Sequence, residues 1–165
     1  MKKKKLPAFK TVIELARKAG ACEDDLRVVE KLGSWAKALK HNNAPYWLYW
    51  YACNVIKDRW PEAEPVIAKN CVVACGYAYH VIRGRWPEVE ETITKDPEAI
   101  YLYARDIIKG RWPEAEALIA KYPEWALYYS FDVIKGRWPE AEEMIAKDPY
   151  WNSLYNIYLR EYRGK

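Results

Sequence analysis

Glycine, phenylalanine, methionine and histidine are all scarce in this chain of 165 residues, with 7, 2, 2 and 2 copies. The glycines stand singly, so no glycine-rich phosphate loop can form. His41 and His80 are far apart and lack a patterned partner, which leaves no His-based catalytic or metal pair. Cys22, Cys53, Cys71 and Cys75 follow no disulfide framework, and a chain this long needs none. Cys71 and Cys75, with His80 five residues on, make one doubtful pair where zinc needs two. The cysteines are therefore read as buried free thiols, and no cofactor or metal is expected. No apolar run approaches the length of a membrane span. The basic N-terminus lacks the apolar core and cleavage site of a secretory signal, so a cytoplasmic protein is expected.

Polar-tipped aromatics are abundant instead, with nine Trp and fourteen Tyr. This content excludes a disordered chain. The net charge of +4 is unevenly placed. Residues 1–44 carry 11 basic and 5 acidic side chains, whereas residues 45–165 carry 16 and 18. Lys2 to Lys5 account for the whole excess, so most of the protein is not basic.

An internal repeat decides the fold class. Trp60, Trp86, Trp112 and Trp138 recur every 26 residues, within segments such as VIKGRWPEAE. Pro45, Pro97, Pro123 and Pro149 keep the same period, with Cys71 filling the gap. A tyrosine follows each by six residues: Tyr51, Tyr77, Tyr103, Tyr129 and Tyr155. Each unit reads as two helices. The first opens at the proline, with Asn70, Asp96 or Asp148 as N-cap, while Ala44 and Tyr122 depart from that pattern. It closes at Gly84, Gly110 or Gly136 as a left-handed C′ residue, with Asp58 in that place in the first unit. The second helix opens at Pro61, Pro87, Pro113 or Pro139 and runs about nine residues, too short to be stable alone. The predicted fold is all-α, a right-handed α-solenoid of helical hairpins with a divergent N-terminal helical cap. Residues 1–44 form the basic tail and cap, with helices over 7–19 and 23–32. Residues 45–165 form four 26-residue helix pairs and a final unpaired helix over 149–163. Departures from the repeat are expected at its ends, which must cover the stack.

The expected core of the third unit comprises Ile100, Tyr103, Ala104, Ile107, Ile108, Trp112, Ala115, Leu118 and Ile119. The opposite side of the first helix holds the first, fifth, eighth and twelfth residues after the proline. It varies between units and is too apolar for a solvated surface. Candidate partner-binding residues on and beside it are Tyr46, Trp47, Trp50, Lys57, Tyr79, Arg83, Arg105, Lys109, Trp125, Tyr128, Lys135, Tyr150 and Trp151. Tyrosine and tryptophan favour interface hot spots, though an aromatic stripe can equally be a helix seam. The ladder Lys57, Arg83, Lys109, Lys135 is either a last-turn cation opposing the helix dipole or a site for acidic groups. A second ladder, Arg59, Arg85, Arg111 and Arg137, is assigned to structure, bonding helix C-terminal carbonyls or the following unit's glutamates. Glutamates of the second helices make an acidic rim. Trp-Pro-Glu-x-Glu carboxylates two apart point to different sides and cannot form an acid/base pair, so no enzyme is expected.

The unit DPEAIYLYARDIIKGRWPEAEALIAK resembles short HEAT-like repeats, which also open after Asp-Pro and carry small residues midway. Tandem units of this type also resemble repeats of bacteriophage proteins. The resemblance covers residues 45–163 and implies a non-enzymatic binder, plausible as a phage-encoded inhibitor of the anti-defence type docking on a host protein. The alternative is nucleic-acid binding through the Lys/Arg ladders and stacking aromatics, with the Lys2–Lys5 tail adding affinity. A third reading is sequestration of a small phosphorylated ligand. The apolar final helix leaves oligomerisation open. Truncation of a repeated core tryptophan, Trp112→Ala, should cost about 3–5 kcal/mol. Chemical denaturation checks this; an unshifted midpoint would remove Trp112 from the core.

Overall fold

A computed structural model describes residues 6–162, in which every regular element is a helix. The Lys2–Lys5 tail lies outside the described residues. The chain divides into two compact units, Met1–Arg83 and Gly84–Lys165. The first contains α1 (Phe9–Lys18), α2 (Glu23–Leu32), α3 (Trp35–Ala38), α4 (Ala44–Tyr51), α5 (Glu64–Ile67) and α6 (Cys71–Tyr77). The second contains α7 (Pro87–Ile93), α8 (Pro97–Leu102), α9 (Pro113–Ile119), α10 (Pro123–Tyr129), α11 (Pro139–Ala146) and α12 (Pro149–Tyr162). Within each unit helices pack on their neighbours in sequence, the arrangement of an α-solenoid.

The predicted caps are present. Asn70 and Asp96 accept from the amides of Val73 and Ala99, both at 3.0 Å. Asp148 accepts from Tyr150 and Trp151. Before Pro123, Tyr122 makes no side-chain cap, as its apolar-bodied ring requires. Second helices are shorter than expected, seven or eight residues in the second unit. In the first unit only four residues are helical, because Pro65 lacks the amide that would continue the ladder.

The first helices do not stay α-helical. They continue as π turns over Ala52–Ile56, Ala78–Ile82, Tyr103–Ile108 and Ser130–Ile134. Each ends with an amide bonded to the carbonyl five residues back, that of Ala52, Ala78, Ala104 or Ser130. Those four residues share the 26-residue period and are fully buried, so only a small side chain fits where the wide turn packs. The inserted residue rotates the last turn. Ile107 and Ile108, in the π turn, are half-buried, while Ala99 and Tyr101, in the α-helical part, are buried. Leu118, expected in the core, is 36% exposed on the second helix.

The closing residue also differs. Lys57, Arg83, Lys109 and Lys135, not the following glycines, take the left-handed conformation, with φ of 56°, 60°, 59° and 56°. Gly84, Gly110 and Gly136 have no positive φ, which explains why Asp58 serves equally in the first unit. Gly20 and Gly33 do close α1 and α2 in the left-handed region, with φ of 85° and 70°.

One bond recurs between each pair of consecutive hairpins. The buried backbone amides of Trp60, Trp86, Trp112 and Trp138 donate to the hydroxyls of Tyr77, Tyr103, Tyr129 and Tyr155, at 2.7, 2.6, 2.7 and 2.7 Å. The same tyrosine packs its ring on its own hairpin's tryptophan, as Tyr103 does on Trp112 and Tyr129 on Trp138. A Cβ at Gly110 meets nothing within 4 Å, so Gly110→Ala should leave the denaturation midpoint near the parent's. At the neighbouring left-handed residue, Lys109→Val should destabilise by about 1–2 kcal/mol. Equal effects of the two substitutions would refute this placement of the strain.

Candidate functional site

None of the twenty positions of the varying first-helix face is buried. In the first unit Tyr46 and Tyr79 are each 50% exposed, with Val72 beside them and Lys57 and Arg83 fully out. Trp50 and Cys53 are half-buried. Trp47 turns inward, stacks on His41 at 4.7 Å and donates its indole N–H to Asp25 at 2.9 Å. Tyr49 lies across Gly76, where a Cβ would come within 3.1 Å of its ring and hydroxyl. That glycine is the price of the close approach. Burial pushes the Tyr49 phenol up to about 12. Tyr79 meets His80 edge-on at 4.8 Å, and His80 is exposed.

In the second unit the expected aromatics are largely a seam. Tyr101, Trp125 and Tyr128 meet pairwise with centroids 5.9 Å apart, and Tyr128 meets Trp151 at 6.1 Å. Trp125, Tyr128 and Trp151 are half-buried as a result. Tyr150, 64% exposed, and Ile157 remain open on the final helix. Arg105 is engaged within the unit. Its Nε and Nη2 bond Asp106 at 2.7 Å, Nη1 donates to the Tyr101 hydroxyl, and the guanidinium covers the Tyr101 ring. The Tyr101 hydroxyl donates to Asp132. Burial, then this carboxylate, raises the Tyr101 phenol to about 12. The repeat does not point to this cluster, because the position of Tyr101 varies as Tyr49, Cys75, Tyr101, Leu127 and Ser153. A signal existed: in the four full hairpins the residue nine after the first-helix opening is polar, as Asn54, His80, Asp106 and Asp132.

The two ladders separate. Lys57, Arg83, Lys109 and Lys135 are exposed. The Arg ladder is structural, but its partner is a glutamate five residues on in its own unit. Arg59, Arg85, Arg111 and Arg137 grip Glu64, Glu90, Glu116 and Glu142 through Nε and Nη2. Each glutamate also accepts from the tyrosine hydroxyl that holds the tryptophan amide. Of the other rim glutamates, Glu88, Glu114 and Glu140 are exposed and Glu62 is half-buried. Of the thiols only Cys75 is buried; Cys53 and Cys71 are half-buried, and Cys22 is exposed because it precedes α2 at a surface turn. No group of three or more potential metal ligands occurs among the described residues. A cavity of about 350 Å³, absent from the sequence expectations, lies among α1 to α4. Compared with protein-family models, curated proteins and solved structures, the chain matches none.

Hydrogen bonds from the arginines hold the Glu90, Glu116 and Glu142 carboxyls below their ordinary value, against the opposing effect of burial. The folded state therefore binds fewer protons there than the unfolded chain, and this stabilisation is fully present at neutral pH. It is lost as pH falls below 4.5, the ordinary value, and through the lowered ones. Denaturation across this acid range should show a shallower fall for Glu116→Gln, which starts less stable at neutral pH. An unchanged pH slope in the variant would contradict the linkage.

Proposed function

We propose that this protein is a non-enzymatic binding module that docks on another protein through the varying face of its first helices. One observation carries the reading. Five of the large apolar side chains left exposed, Tyr46, Val72, Tyr79, Tyr150 and Ile157, fall on that face. In each unit, exposed apolar groups on one face of its first helices mark an interaction surface, and tyrosines there supply contact area at low entropic cost. The HEAT-like plan and the likeness to bacteriophage repeats extend the proposal to a phage-encoded inhibitor of the anti-defence type, acting on a host protein in the host cytoplasm.

A second reading, nucleic-acid binding, draws on Lys57, Arg83, Lys109 and Lys135, which are exposed at one per hairpin. The charge balance of residues 45–165, 16 basic against 18 acidic side chains, weighs against it.

Affinity capture from host lysate with parent and Tyr46→Ser/Tyr79→Ser proteins separates the readings. The expected result is a stoichiometric protein held by the parent and lost by the double variant, whose melting temperature stays close to the parent's. Recovery of nucleic acid alone, released steeply by added salt, would overturn the proposal in favour of the second reading.

A further inference from the structure

We propose that the cavity of the first unit, enclosed by α1, α2, α3 and α4, is a binding site for a small aromatic ammonium compound. Protein interiors close-pack with few spaces larger than a water molecule. This one has a volume of about 350 Å³. An apolar cavity of roughly 150 Å³ accepts benzene, so this space suits two fused rings with a short side arm. Its walls include Trp35, Trp47 and Trp50, whose ring faces attract a cation as well as an aromatic body.

Asp25 sets the charge. It is the only charged residue of the lining, and no ion pair to it occurs among the described residues. The Trp47 indole fixes one carboxylate oxygen at 2.9 Å, which orients the group and leaves the other oxygen to a ligand donor. A carboxylate in an otherwise apolar aromatic pocket favours a bound cation over a neutral or anionic molecule of the same shape. The exposed Cys22 and the half-exposed Tyr46 also belong to the lining and give the cavity an opening to solvent. The lining shares Tyr46 and Trp50 with the varying first-helix face, so the two surfaces adjoin, but Asp25, which sets the charge preference, lies on α2 and outside that face.

Three probes of one shape test the proposal: 1-naphthylmethylamine, 1-naphthalenemethanol and 1-naphthaleneacetate, titrated by calorimetry into the full chain. The amine should bind, with the alcohol weaker on the order of tenfold or more and the acetate weaker still. Asp25→Asn keeps an acceptor for the Trp47 indole; it should erase the preference for amine over alcohol while alcohol binding persists. Alkylation of Cys22, followed by peptide mass mapping of the parent, should slow in the presence of the amine. Failure of the amine to bind, equal binding of amine and acetate, or unprotected Cys22 would each overturn the proposal. Should Asp25→Asn lose both amine and alcohol, the parent's charge preference and Cys22 protection still decide.

Discussion

The backbone amide of each repeated tryptophan cannot be satisfied within its own hairpin. The chain arrives there from a left-handed residue and leaves into a proline, so the turn offers no partner carbonyl in register. A buried amide without a partner costs about 1–3 kcal/mol. The hydroxyl that satisfies it belongs to the tyrosine of the next first helix, 17 residues on. This makes one hairpin the completing element of another. It also accounts for the final helix: without α12 there would be no Tyr155 to accept from Trp138. The helix without a partner in a count of hairpins is thus a member of the bonding series. At the other end Trp35 is anchored through its side chain, its indole N–H donating to the Pro7 carbonyl.

The tyrosine hydroxyl has a second obligation, to the glutamate that an arginine grips. The invariant Arg, Trp, Glu and Tyr of the repeat are thus one connected set, in which each polar group is a partner of the next. Burial of these tyrosines raises their phenols, keeping the hydroxyl protonated and able to donate to the carboxylate. A recurrent arginine in such a setting is committed before any ligand arrives, whereas the lysine ladder one turn away is left to solvent.

Much of this was legible in the period. The spacing placed the helices, the Asn and Asp caps and the repeated core Trp and Tyr, because each of those depends on local chemistry that recurs with the residue. The left-handed position was misplaced by one. Glycine is the residue that tolerates such a backbone at least cost, yet here a lysine bears it and the glycine follows. The π turn left no trace that a 3.6-residue period could register, and Ile107 and Ile108, which lie in it, are half-buried. Contacts between irregular residues, such as Tyr101 with Asp132 or Trp47 with Asp25, could not be seen because they join positions that the repeat does not relate.

That division bears on function. The repeated aromatics are fixed by the need to satisfy backbone amides and are unavailable for selection by a partner. Half of the irregular ones are spent as well: Trp125, Tyr128 and Trp151 close a seam, and Trp47 turns into a cavity wall. Trp50 is half-buried against the same cavity, whereas Tyr46 and Tyr79 in one unit and Tyr150 in the other stay at least half exposed. These three side chains lie outside the buried core and vary between units. A residue under no structural obligation, kept large and apolar in water, needs a reason outside the fold, and a surface composed of such residues is where recognition can change without cost to the repeat.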